Sequence, residues 1–295
     1  MASSTATAKQ QILSSVPSQE CSTASRAEKV PPTRLVLIGD PVSHSLSPKF
    51  QSAAIDAAGL GVKYEAMKVS SADLEQVAQS LLDESAGGNV TVPHKTAFSR
   101  LCGERTATAE RTGAVNTFWT RDGKLVGDNT DVAGFDAAAR ELLGEIPPGV
   151  KVAVIGAGGA AAAVLAAVEG WPGAKVRLFS RTLERSEKLA ERFADFVRVD
   201  SALQTALAGA TLVVNATPIG MTDDSVPLET EHLPRDSVVL DLVYRPGGTA
   251  LTRAAHGAGH RAADGRTMLI EQGARSFEKW FGFAPDKRLM RAALG

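Results

Sequence analysis

The apolar and polar positions change rhythm partway along the chain. From Arg34 to about Asp128, the runs RLVLIG, VKYEAMKV, GGNVTV, AVNTFWT and KLVG alternate with helix-like stretches such as 47–58 and 71–83. Short β-prone runs between segments of helical length predict an α/β domain. Ser70 stands three residues before Asp73, a capping-box spacing that predicts a helix start, and RDGK at 121–124 predicts a hairpin turn. Beyond Asp131 the runs VKVAVIG, AKVRLFS, FVRV, TLVVNATP and SVVLDLVY are separated by helical stretches, the rhythm of a doubly wound parallel sheet. The segment from about Thr267 to Leu294 is helical in pattern and placed to return over the first domain. The expected organisation is therefore α/β with two domains. Residues 34–130 plus 267–295 form an N-terminal α/β domain, and 131–266 form a Rossmann-type doubly wound parallel-sheet domain.

One stretch, GGNVTVPHK at 87–95, breaks its own pattern. A strand through it puts Val90 and Val92 on one face and Asn89 and Thr91 on the other. Pro93 ends the strand and Lys95 opens the next helix, where the helix dipole already favours negative charge. A lysine in that field, partly desolvated, can exchange a proton near neutral pH. A plain surface lysine is the competing reading. GAVNTFW and LVGDNTDVAGF interrupt β runs in the same way with Asn116, Asn129, Thr130 and Asp131. Singly these are turn residues; recurring at strand ends in one domain, they suggest a cleft for a polyhydroxylated ligand. In GDPVSHSLSPKF, Ser45 and Ser47 precede Pro48 at a helix start, where hydroxyls, amides and dipole favour a carboxylate. Simple capping needs only one serine.

VAVIGAGGAAAAVLAA places a β run, then Gly156, Gly158 and Gly159, then a helix of small residues. That context makes a dinucleotide site of the glycines: a tight turn, a close approach to pyrophosphate, and a helix N-terminus aimed at it. The next run ends in VRLFSRTLERSEKL, with Ser180, Arg181, Thr182 and Arg185 where an NAD site carries an acid. Cationic forks suit a 2'-phosphate, so NADP(H) is the expected cofactor, with Glu184 as the internal objection. His256 and His260 share a metal-ligand spacing, but Gly257 and Gly259 make a helix there improbable; the expectation is two loop histidines and no metal site.

Composition narrows the partners. With 32 basic and 33 acidic residues among 295 and no basic run, the chain lacks a phosphate-backbone footprint, so no nucleic acid is expected. No stretch reaches the apolar length of a spanning helix, so no membrane is expected either. Cys21 and Cys102 form neither a disulfide framework nor a zinc pattern, which suits a reducing, cytoplasmic setting. Residues 1–33, rich in Ser, Thr and Ala, read as a disordered solvated extension or a misassigned start, with an organelle transit peptide as the alternative.

The ordered set HSLSP, NVTVPHK, GAVNT, GDNTD, GAGGAA, SRT, NATPIGM, DLVYRP and MLIEQGARSFEKWFG, from about residue 35 to 282, resembles the shikimate dehydrogenase family. The resemblance implies NADPH-dependent reduction of 3-dehydroshikimate to shikimate in aromatic amino-acid biosynthesis. It implies Lys95 and Asp131 as catalytic residues and Ser45 and Ser47 on the substrate carboxylate. Asn89, Thr91, Asn116, Thr130, Tyr244 and Gln272 would complete the substrate site. Around the cofactor it implies Gly156, Ala157, Gly158, Gly159, Ala160, Ser180, Arg181, Thr182, Arg185, Thr217, Met221 and Gly265. The chain departs from the family pattern with Gln51 and Ser52 in place of a His-Asn pair, Ser180 in place of Asn, and His94 where an aromatic is common. Relatives acting on quinate or aminoshikimate, or a non-catalytic NADP-binding sensor, are the alternatives; intact Lys95 and Asp131 argue against the sensor. A small-molecule enzyme, monomeric or homodimeric, is expected.

Overall fold

The computed structural model describes Met1 and residues 30–295, so the expected N-terminal extension lies almost wholly outside the described residues. The first sheet comprises β1 (Leu35–Gly39), β2 (Tyr64–Lys68), β3 (Gly87–Val90), β4 (Glu104–Arg105), β5 (Thr117–Arg121) and β6 (Lys124–Asp128), in the order β2-β1-β3-β5-β6-β4. β1 runs parallel to both neighbours, while β3, β5 and β6 pair antiparallel. Asp122 and Gly123, at φ 50° and 68°, make the β5–β6 turn, since a two-residue turn of this hand matches strand twist.

The helices of this half are α1 (Ser47–Ala57), α2 (Leu74–Asp83), α3 (Lys95–Leu101) and α4 (Ala107–Thr112). α2 starts later than the expected 71, because Ser70 and Asp73 bond each other: Ser70 Oγ donates to Asp73 Oδ2 at 2.6 Å and Asp73 N donates to Ser70 Oγ at 3.3 Å. The carboxylate so used caps no helical N–H. The strand expected through Val92 stops at Val90. Thr91 N still donates to Ile38 O at 2.8 Å, but the chain then turns, with His94 N on Thr91 O at 2.9 Å. Val90 is buried and Val92 is 55 % exposed, so the valines do not share a core face.

The second sheet comprises β7 (Lys151–Ile155), β8 (Lys175–Phe179), β9 (Val197–Val199), β10 (Leu212–Asn215), β11 (Val238–Asp241) and β12 (Ala262–Ala263). Its order is β12-β11-β10-β7-β8-β9 with every pair parallel, the doubly wound order that changes direction beside β7. Around it lie α5 (Asp131–Leu143), α6 (Gly159–Val168), α7 (Leu183–Ala190), α8 (Leu203–Leu207) and α9 (Ala250–Gly257). α9 corrects the reading of His256 as a loop residue: a Thr249–Thr252 capping box starts the helix and Gly257 ends it, so His256 occupies its last turn. His256 Nε2 lies 3.0 Å from Ala262 O and His260 Nδ1 3.0 Å from Ser237 O, so each ring is engaged by a different carbonyl.

The chain closes with α10 (Arg266–Phe281) and α11 (Lys287–Ala292). α10 joins the first half: Phe277 and Trp280 share a core with Leu35, Leu37, Phe50 and Tyr64, and Trp280 Nε1 donates to Phe118 O at 3.0 Å. Burying each such aromatic contributes about 2–3 kcal/mol. α10 also lies along α5 at a close crossing, because Gly134 has no side chain: a Cβ there would sit 2.8 Å from both Gln272 Cβ and Met268 O. A second tie between the halves is Arg192, whose guanidinium donates to the carbonyls of Glu110, Arg111 and Thr112 at the end of α4.

Candidate active site

A cleft of about 190 Å3 opens where the C-terminal ends of β3, β10 and β11 approach α6 and α10. Ser45, Ser47, Asn89, Thr91, Lys95, Asn116, Asp131, Tyr244 and Gln272 line it, together with Ala160, Met221 and Gly265 from the expected cofactor set. The linear chain separates these residues by as much as 227 positions.

At its centre Lys95 Nζ donates to Asp131 Oδ2 at 2.5 Å, with the side chains 16 % and 7 % exposed. Lys95 begins α3 and Asp131 begins α5. The α5 dipole favours the carboxylate, while the α3 dipole opposes the ammonium, so the Asp131 charge offsets the field that makes Lys95 a poor helix opener. Asp131 is held from behind: Asn116 Nδ2 donates to Oδ1 at 2.8 Å, and Asp131 N donates to Asn129 Oδ1 at 3.1 Å. Asn129 in turn reaches Thr112 Oγ1 and Ala114 O, which makes it a loop tie and not a cleft residue.

Thr130 stands behind the cleft wall. Its N–H and hydroxyl both meet Asn116 Oδ1, at 2.7 and 3.1 Å, and so turn the Asn116 amide nitrogen towards Asp131 and Gln272 Oε1. Gln272 is anchored by Nε2 on Leu269 O at 2.8 Å. Asn89 Nδ2 reaches Asn116 O, Thr117 Oγ1 and Ser276 Oγ at 2.9–3.0 Å, and Tyr64 donates to Asn89 Oδ1 at 2.8 Å. Tyr64, Thr117 and Ser276 were absent from the sequence-based set. Only Ser276 left a signal, four residues after Gln272 on one helix face. At the other end Ser47 N donates to Ser45 Oγ at 3.2 Å. Burial raises the Tyr244 phenol above its usual range, eased by the Leu46 backbone and the Ser45 hydroxyl beside it.

The residues of the second half fit a dinucleotide. Gly156 turns at φ 113° and its N–H donates to Phe179 O, tying the turn to the end of β8. A side chain there would press on Ala216 O at 2.9 Å, whereas a Cβ on Gly158 would meet nothing within 4 Å. That open space before the α6 N-terminus suits a pyrophosphate. Ala157 packs on the sheet core. A Cβ on Gly159 would lie 3.6 Å from Lys95 Cδ, so the lysine sits against the start of α6. Arg181, Thr182 and Arg185 are exposed after β8; Ser180 Oγ donates to Thr182 O at 2.8 Å and shapes that turn. Thr217 lies on the β10 loop, where its N–H and hydroxyl hold Asn215 Oδ1 at 3.0 and 2.7 Å. Asn215 Nδ2 continues to Asp241 Oδ1 at 2.8 Å, and burial raises the Asp241 carboxyl. Gly265 is a packing glycine: a Cβ would strike Leu242 O at 2.3 Å.

Of the departures from the family pattern, Gln51 is fully buried with Nε2 on Gly273 O at 3.0 Å, and His94 is buried with Nε2 2.7 Å from Val69 O. Both act in packing around the cleft and do not line it.

A doubly wound sheet with a glycine turn, facing a lysine–carboxylate cleft built on a second α/β sheet, defines a two-domain enzyme of the dinucleotide-binding α/β class. Comparison with known proteins makes this specific. Residues 37–118 match the model of the shikimate dehydrogenase substrate binding domain and 265–294 that of the shikimate 5'-dehydrogenase C-terminal domain. Residues 151–245 match the model described as NADP oxidoreductase coenzyme F420-dependent. The chain is 43 % identical over 258 residues to the NADP+ shikimate dehydrogenase of Methylocella silvestris, covering 85 % of this chain and 91 % of the relative. Crystal structures of shikimate dehydrogenases superpose with TM-scores of 0.82 for Aquifex aeolicus and 0.80 for the Thermus thermophilus complex with NADP(H) and shikimate. These are 34 % and 36 % identical, covering 89 % and 88 % of this chain and 97 % of each of theirs. The chain belongs to the shikimate dehydrogenase family.

Proposed function

We propose that this chain is a shikimate dehydrogenase, catalysing the reversible NADPH-dependent reduction of 3-dehydroshikimate to shikimate. The observation that carries the reading is the Lys95–Asp131 pair, set between the serine and amide groups of the cleft and the glycine turn of α6. Residues 34–130 with 267–295 hold the substrate and 131–266 the cofactor.

The hydroxyls of Ser45 and Ser47, at the start of α1, take the substrate carboxylate, because hydroxyl donors and the helix N-terminus both favour an anion. Asn89, Thr91, Asn116, Tyr244 and Gln272 take the ring hydroxyls and carbonyl. Gly156, Gly158 and Gly159 approach the pyrophosphate, Arg181 and Arg185 the 2'-phosphate, and Met221 closes the wall between cofactor and ring. When bound, NADPH supplies the hydride. Lys95 Nζ, held by Asp131, donates its proton to the carbonyl oxygen as that oxygen becomes an alkoxide, and takes it back in the oxidative direction. Asp131 aims the lysine before transfer, and Asn116 fixes the carboxylate. No helix among the described residues is long and apolar enough to cross a membrane. We read the chain as a cytoplasmic enzyme, because two cysteines without a disulfide framework suit a reducing setting, acting as a monomer or homodimer on a small molecule.

Initial rates with shikimate and with quinate, each with NADP and with NAD, test the reading. Fast turnover with shikimate and NADP is the expected result. Turnover with quinate alone would move the substrate to the relative, and no turnover with any pair would overturn the shikimate reading in favour of the aminoshikimate or sensor alternatives.

A further inference from the structure

The proton arrangement around Asn89 is fixed by its partners. Nδ2 lies 3.0 Å from Asn116 O, a backbone carbonyl that can only accept, so the amide nitrogen and not the oxygen must face it. Oδ1 is thereby turned to Tyr64, and the phenol must spend its one proton there, at 2.8 Å. The two amide protons of Asn89 are shared among Asn116 O, Thr117 Oγ1 and Ser276 Oγ, all within the protein. What Asn89 offers the cleft is the second lone pair of Oδ1, an acceptor that reads a hydroxyl and gives nothing to a carbonyl.

Tyr64 is unusual for its place. β2 is an edge strand, and Tyr64 is its one buried position; Glu65, Ala66 and Lys68 are exposed and Met67 is intermediate. Its ring lies on the Leu35 and Leu37 side of the sheet, 6.0 Å from the Trp280 ring, and its hydroxyl crosses to β3 to meet Asn89. A phenylalanine would fill the same apolar space, so packing alone does not require the hydroxyl.

We propose that Tyr64 is a positioning residue for substrate recognition: its hydroxyl holds Asn89 so that the amide oxygen presents an acceptor to a ring hydroxyl. The inference rests on Asn89 being a substrate ligand in the reading above. Without the phenol, Oδ1 loses its protein donor, and the amide, held then through Nδ2 alone, is less firmly aimed before substrate arrives.

The test is a double-mutant cycle on the full chain with Tyr64→Phe, Asn89→Ala and the pair. Tyr64→Phe is expected to raise KM for shikimate by about three- to tenfold, the weight of one buried hydrogen bond, with KM for NADP unchanged and the thermal midpoint lowered by about a few degrees at most. In the Asn89→Ala background it is expected to add nothing. An unchanged KM in the single variant, or an equal increase in both backgrounds, would overturn the proposal. Should the wild type fail to oxidise shikimate, the function reading falls, and the role of Tyr64 is decided without activity. With the protein labelled by 15N-asparagine and the Asn89 signal assigned by its loss in Asn89→Ala, the side-chain protons are expected to exchange about tenfold faster in Tyr64→Phe. Equal exchange would overturn it.

Discussion

Lys95 shows how one residue changes meaning with its neighbours. Alone it is a lysine at the wrong end of a helix; with Asp131 at 2.5 Å, it is a charge compensated inside a cleft. Lys95→Ala is expected to lower kcat by about two or more orders of magnitude while NADPH affinity, read by fluorescence titration, stays within about twofold. A kcat left near wild type would remove the lysine from the chemistry. Arg181 and Arg185 are the reverse case: exposed after β8, they form no ion pair among the described residues and so remain available to an outside anion. Replacing both with alanine is expected to narrow the preference for NADPH over NADH, measured as a ratio of kcat/KM. If the ratio holds, the 2'-phosphate is recognised elsewhere.

Between elements, the close crossing of α5 and α10 places Gln272 against Asn116 at 3.3 Å, and it exists because Gly134 lacks a Cβ. Gly134→Ala gains up to about 1 kcal/mol of helix propensity but presses a methyl on Gln272 Cβ and Met268 O, an overpacking that costs about 1–3 kcal/mol. The net expectation is a lower thermal midpoint and a raised KM for shikimate, with the NADP site spared. A variant that is more stable with an unchanged KM would show that the helices separate freely. Ten of the twelve strands among the described residues were legible as apolar runs, and so was the 121–124 hairpin; β4 and β12, two residues each, are too short to leave a run. The register of 87–95 was not: alternation predicted a strand through Val92, but pairing with β1 ends as the chain turns at Thr91–His94. α9 was missed for a related reason. Two glycines near His256 weakened the helical signal, although Gly257 only terminates the helix and a capping box starts it.

For the whole molecule, the last helices complete a core begined by the first strand, so neither end of the described chain is independent. Trp280→Ala removes the largest fully buried side chain and its bond to Phe118 O. It is expected to cost about 3–5 kcal/mol and to lower the denaturation midpoint of the first half in particular. Fluorescence and circular dichroism on urea titration check this; a midpoint near wild type would mean that α10 is peripheral to that core.

The chain by itself determined the elements that depend on local rhythm and local chemistry: the alternating β runs, the glycine turn into α6, and the motifs whose order carries the family resemblance. Lys95 and Asp131 could be picked out in this way because their motifs are contiguous. The tertiary structure decided what no contiguous segment contains. It placed Tyr64, Thr117 and Ser276, from an edge strand, a central strand and the returning helix, around one asparagine. It also moved Thr130 and Asn129 from the cleft wall to the scaffold behind it. The reason is physical: a hydrogen-bond partner is set by distance and direction in space, while residue spacing along the chain reports only the face of a single helix or strand.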